Sequence, residues 1–213
     1  MIPQIKLGEL LCTRLCHDLT GPIGAVANGV EFMSEEGAKM QEQALELISS
    51  SALQAVSRLQ FYRKAYGRIN DNGEANIEAL RKVVSDFFTG SKITLDWPDT
   101  HTDSSGVSIS YKMSRLLFNL IIIASAALLR GGTLAVRLSS GDNVKAVHVK
   151  VSGRSIKWDT EIEAALSHDI GIESLTPKII QAYMTRLLAE ELDANLSWQV
   201  GEEFMEISAL RKM

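Results

Sequence analysis

The 213-residue sequence holds only two cysteines, four prolines and 6% aromatic residues. Two cysteines build no disulfide framework. Cys12 and Cys16, one helical turn apart, reach only three ligands even with His17, short of a structural zinc site. The expectation is two buried thiols and no metal. Basic residues are also in short supply: 22 Lys and Arg against 26 Asp and Glu leave a net charge of −4. Such a chain presents no global basic field, and no nucleic-acid partner is implied. No run approaches the ~18–20 apolar residues of a membrane span. The opening "MIPQIKLGEL" has neither the basic nor the apolar region of a secretory leader. A cytoplasmic location is expected, with no membrane partner. What is present is a 46% hydrophobic content with 23% charge, enough for one large domain or two small ones.

The chain divides near residue 70. From about Leu7 to Glu36 the pattern is helical, broken only by Gly21–Pro22. A short turn around Gly37 leads into "MQEQALELISSSALQAVSRLQFYRKAYG", a second helix without internal Gly or Pro that ends at Gly67. Two long helices joined by a tight turn form an αα-hairpin over residues 1–70. After the turn-rich "GRINDNGEAN", residues 71–213 alternate helical segments with β-branched runs. The helices are "IEALRKVVSDFF", "YKMSRLLFNLIIIASAALL" and "TPKIIQAYMTRLLAEEL", the last with Pro177 in its first turn, where proline is tolerated. The strands are "KITLDW", "GTLAVRLS", "KAVHVKVS", "NLSWQV" and "FMEISAL", with turns at Gly131–Gly132 and Gly141–Asp142. This predicts an α+β protein: a helical hairpin, then an α/β sandwich with a mixed sheet of five strands covered by helices on one face.

One stretch of the first helix, "LCTRLCHDLTGP" at 11–22, carries a titratable pair with a proline one turn beyond it. At ~100° per residue, Leu7, Leu11, Leu15, Leu19, Pro22, Val26, Val30 and Met33 share one sector, and His17 lies roughly opposite. Thr13, Arg14, Thr20, Gly21, Gly24, Asn28 and Glu31 share the face of His17. A glycine in a helix interior costs about 1 kcal/mol, and a proline there removes a backbone hydrogen bond. Small residues around the ring would let another protein's surface come close. Close packing of helices at Gly21 and Gly24 would use them equally well. An exposed imidazole titrating near ~6.5 is a good nucleophile. A carboxylate on one ring nitrogen fixes the tautomer and leaves the other nitrogen free to attack phosphorus. Asp18 is the candidate for that carboxylate, although neighbours i and i+1 do not squarely face each other on a helix.

"HDLTGP" resembles the H-box of two-component histidine kinases, and "LLCTRLCHDLTGPIGAVANGVEF" is similar to the ChpT-type histidine phosphotransferases. The resemblance is specific over residues 8–33 and looser over the rest. It implies a homodimer whose hairpins form a four-helix bundle, followed by a kinase-like ATPase domain that has degenerated. It also implies that His17 accepts a phosphoryl group from one receiver domain and passes it to another, in a phosphorelay linking a hybrid histidine kinase to response regulators. Receiver domains bring their own acidic pocket and Mg²⁺, so no cofactor is expected here.

An ATP-dependent histidine kinase is the alternative. Kinases of this fold carry two asparagines on one helix; "FNLIIIASAAL" keeps Asn119 but has Ile123 at the second place. The adenine-reading Asp is replaced by Val151 in "KVSGRSI", where Gly153 and Ser155 follow, and the glycine-rich lid is reduced to Gly171. The means of holding a triphosphate are missing, so transfer without autokinase activity is expected. A non-catalytic dimeric scaffold for response regulators is a third reading, and a receiver phosphatase a fourth. Water-orienting Thr or Asn is common four residues after the histidine in such phosphatases; Gly21 stands there, with Thr20 turned ~100° away. Finally, a hairpin turning at Gly37 sets Ser57 and Arg58 level with His17. Arg58 from the second helix and Arg14 from the first are expected to lie near the transferred phosphate, where guanidinium stabilises spread negative charge.

Overall fold

The computed structural model describes residues 3–34, 37–68, 73–98, 108–141, 144–167 and 170–212. Helix α1 (Pro3–Phe32) carries Pro22 inside it, and α2 (Ala38–Tyr66) follows a turn at Gly37, whose φ of 124° favours glycine. The expected first helix thus ends earlier, and Glu36 lies outside the described residues. The two helices pack tightly against each other at Gly29. A Cβ there would sit 2.6 Å from Cγ1 of Ile48, whereas a Cβ on Gly21 or Gly24 would meet nothing within 4 Å. Close packing therefore uses Gly29, and the glycines beside His17 face open space within this chain.

After the hairpin come α3 (Ile77–Phe88), β1 (Ile93–Asp96), α4 (Tyr111–Ala126), β2 (Gly132–Gly141) and β3 (Val144–Ser152). Then follow α5 (Thr160–Leu166), α6 (Ile180–Glu191), β4 (Ala194–Val200) and β5 (Phe204–Lys212). The five strands form one mixed sheet in the order β1-β2-β3-β5-β4, with β1 parallel to β2 and every other pair antiparallel. Gly131 and Gly132 enter β2 at φ 84° and 147°, as the turn chemistry requires. Asp142 of the second expected turn, and residues 69–72 of the linker, lie outside the described residues. Along β5, buried Met205, Ile207 and Ala209 alternate with half-buried Phe204, Glu206, Ser208 and Leu210, so one face is covered.

Helices α5 and α6 also differ from expectation. Helix α5 was not foreseen: seven residues are too few to show a helical period, and its signal is the Asp159 cap, whose side chain accepts from the Glu161 N–H. Helix α6 begins at Ile180 rather than around Pro177. Pro177 lies in the preceding turn, and the Ile180 N–H bonds back to the Thr176 carbonyl.

Buried apolar residues run without interruption from the sheet through α4 to Phe61, Tyr62 and Ala65 of α2, with Leu7, Leu11 and Leu15 of α1 packed at the edge. Helix α4 is apolar on nearly every side because it lies between the sheet and the hairpin. The far end of the hairpin has no such cover. Val30 and Met33, expected on the apolar stripe, are exposed there, and along the hairpin so are Ile23 on α1 and Leu45, Leu53, Val56 and Leu59 on α2. Among the described residues, no helix is long and apolar enough to cross a membrane.

Candidate functional site

His17 stands on the outward face of α1 with its side chain 87% exposed. Its Nδ1 lies 3.3 Å from Oδ1 of Asp18, so the adjacent carboxylate does reach around the helix. What holds that carboxylate is Tyr62 of α2, whose hydroxyl donates to Asp18 Oδ2 at 2.7 Å. Arg14 Nε lies 3.8 Å from the same oxygen, one turn earlier on α1. Burial and the hydrogen bond to Asp18 push the Tyr62 phenol well above its ordinary range, so it remains a donor at all physiological pH.

Pro22 supplies the local logic. In a regular helix the Asp18 carbonyl would accept the N–H of residue 22, and proline has none. The freed carbonyl accepts instead from Arg58 Nη1 on α2, at 2.5 Å. The hairpin register expected from the turn is thus met, with Arg58 level with the His17–Asp18 pair. Arg58 and Tyr62 are spaced i, i+4, so one turn of α2 grips both the main chain and the side chain of Asp18.

The opposite wall comes from the α/β half. A cleft of about 310 Å³ is lined by Thr13, Arg14, His17, Asp18, Pro177 and Lys178. Arg14 Nη1 donates to the Lys178 carbonyl at 3.5 Å, and Lys6 Nζ donates to the Glu173 carbonyl at 2.6 Å. The Lys178 ammonium is turned away to Asp159 and Glu161, at 2.5 and 3.0 Å, and these partners raise its pKa. Thr20 donates to the Cys16 carbonyl at 2.7 Å, so its hydroxyl is committed to its own helix. Gly21 offers no side chain.

Cys12 and Cys16 are exposed rather than buried, because the face of α1 that packs inward carries Leu11, Leu15 and Pro22 instead. Among the described residues, no three His, Cys, Asp or Glu side chains gather to hold a metal.

Asn119 has a different occupation from the one its position suggests. It is fully buried, its Nδ2 donates to the carbonyls of Ala65 (2.9 Å) and Arg115 (2.7 Å), and its Oδ1 accepts from Gln181 Nε2 at 2.6 Å. Arg115 donates to the Ala65 and Tyr66 carbonyls, and the Tyr66 hydroxyl donates to Gln181 Oε1. The last carbonyls of α2, orphaned by the helix end, are satisfied from α4. Ile123 and Val151, at the other kinase positions, are buried and apolar.

Sequence reasoning brought together His17, Asp18, Arg14 and Arg58, and the structure places all four within one patch. It missed Tyr62 and Gln181. Tyr62 reads as a core aromatic in "QFYRKAYG", and its signal was the i, i+4 spacing from Arg58.

A family model for the histidine phosphotransferase C-terminal domain matches residues 77–204. The chain is 34% identical over 209 residues to the protein phosphotransferase ChpT of Brucella abortus (strain 2308), covering 98% of this chain and 97% of that one. A bacterial phosphotransferase structure at 1.7 Å superposes with a TM-score of 0.81 at 34% identity, covering 96% of each chain. The histidine kinase ThkA, solved with the response regulator TrrA, shares the fold: TM-score 0.50, 14% identity, 99% of this chain and 64% of that one. With a family model over residues 77–204, a relative 34% identical over nearly the whole chain and a matching phosphotransferase structure, the chain belongs to the ChpT-type histidine phosphotransferases.

Proposed function

We propose that this chain is the histidine relay of a phosphorelay, with His17 as the phosphoacceptor. The observation that carries the reading is an imidazole 87% exposed whose Nδ1 lies beside a carboxylate that Tyr62 holds in turn. The Nε2 lone pair attacks the phosphorus of an aspartyl phosphate on a receiver domain. The N–P bond forms, the acyl P–O bond breaks, and the receiver carboxylate leaves. The imidazolium character that develops is balanced by Asp18 at Nδ1. Attack by the aspartate of a second receiver reverses the step. Arg14 and Arg58 add positive charge to the wall beside the transferring group.

Receiver domains of a hybrid histidine kinase and of response regulators are the proposed partners, each bringing its own Mg²⁺, with the cytoplasm as the compartment. The exposed apolar row of Ile23, Val30, Leu45, Leu53, Val56 and Leu59 supports a homodimer in which two hairpins close a four-helix bundle. Residues 1–70 would then serve dimerisation and phosphate acceptance, and residues 71–213 would form the ATPase-like domain that flanks the site. The kinase alternative is disfavoured because the Asn119 amide is spent on α2 carbonyls and on Gln181.

The test is to mix the purified protein with a receiver domain carrying labelled phosphate. Label should move to the wild type and stay on the receiver with His17→Ala, whose melting temperature should be unchanged because the side chain is 87% exposed. Transfer to His17→Ala would refute the reading.

A further inference from the structure

We propose that α2 selects the reacting form of His17, with Tyr62 as a positioning residue acting through Asp18. The inference rests on the reading that His17 accepts phosphate.

A neutral imidazole carries its proton on either nitrogen, and only the form protonated at Nδ1 presents a free lone pair at Nε2. Asp18 favours that form, but an i, i+1 pair on a helix has no inherent alignment, and the Nδ1–Oδ1 separation of 3.3 Å is long. A carboxylate free to rotate would spend much of its time in solvent. Tyr62 removes that freedom by donating to Oδ2 at 2.7 Å, which leaves Oδ1 turned to the ring. The donor is itself immobile. Tyr62 is 7% exposed, stacked on Tyr66 at 5.8 Å and edge-on to both Phe61 and Phe87 at 6.1 Å. One turn earlier, Arg58 holds the carbonyl that Pro22 frees, so the Asp18 backbone is fixed from the same helix. The chain from the aromatic core to the reacting nitrogen is therefore Tyr62 to Asp18 to His17, and each link is a hydrogen bond.

The test uses the full chain and a phosphodonor that needs no partner, potassium phosphoramidate. His17 Nε2 attacks its phosphorus and ammonia leaves, so the rate reports the histidine alone. Nitrogen NMR of the labelled ring reports which nitrogen carries the proton. Wild-type His17 should be in the Nδ1-protonated form. Tyr62→Phe keeps the ring packing, and it should shift the tautomer toward Nε2-protonated and slow phosphorylation about tenfold, as loss of an outer hydrogen-bond partner does at other functional histidines. A structural role alone would lower the melting temperature and leave the tautomer in place. A wild-type ring protonated at Nε2, or Tyr62→Phe with wild-type tautomer and rate, would overturn the proposal while phosphorylation at His17 still stood. Wild-type protein that takes no label at His17 would instead overturn the reading beneath it.

Discussion

At the scale of single residues, the proline after the histidine turns out to serve the partner helix. Pro22 withholds one N–H, and the carbonyl so released is where Arg58 attaches α2 to α1. Pro22 and Arg58 should therefore be coupled. In the wild type, Arg58→Met leaves a half-buried carbonyl without a donor and should cost about 1–2 kcal/mol of stability. In a Pro22→Ala background the N–H of residue 22 can close the helix, and the same substitution should cost about 1 kcal/mol less. Urea unfolding of the four variants measures the difference, and strictly additive costs would mean that Arg58 does not substitute for the missing bond.

Among the elements, α2 supports the site from behind through Arg58 and Tyr62, and its two ends are secured differently. Near the turn, Gly29 lets α1 approach to within reach of Ile48. Gly29→Ala should destabilise by about 1–3 kcal/mol through overpacking, while Gly24→Ala, with open space around it, should not, as thermal melts would show. At the other end, Tyr66 bonds Gln181, and burial pushes its phenol up to about 12. A phenol whose folded pKa is raised stabilises the fold fully below its unfolded pKa, and that stability is lost as pH rises through the folded one. Denaturant midpoints should therefore fall between about pH 10 and 12, more shallowly in Tyr66→Phe. The helices of the hairpin and all five strands were legible from period and from Gly placement, whereas α5 was too short to show a period and Pro177 marked the turn before α6 rather than its first turn. His17 and Asp18 were legible because a local pair with small neighbours shows on a helical wheel. Tyr62 was not, since an aromatic among aromatics declares itself only when the opposing helix is set in register. Exposure of Val30 and Met33 was equally hidden, because the wheel gives the apolar side of a helix but not which stretch of it the chain itself covers.

For the whole molecule, the α/β half grips the hairpin at both of its helices. Asn119, Arg115 and Gln181 join α4 and α6 to the end of α2, and Lys178 and Glu173 meet α1 through their carbonyls. Calorimetry with ATP and Mg²⁺ should accordingly give no dissociation constant tighter than about millimolar, the range below −4 kcal/mol of binding; a micromolar value would restore the kinase reading. Sedimentation should show a dimer that Leu53→Glu, placed in the exposed apolar row, disperses. The most direct measurement is mass-spectrometric mapping after incubation with a labelled receiver domain, under alkaline handling that preserves phosphohistidine. A single modified histidine, His17, is expected, with its loss in His17→Ala; label on His148, or label that survives the substitution, would contradict the assignment.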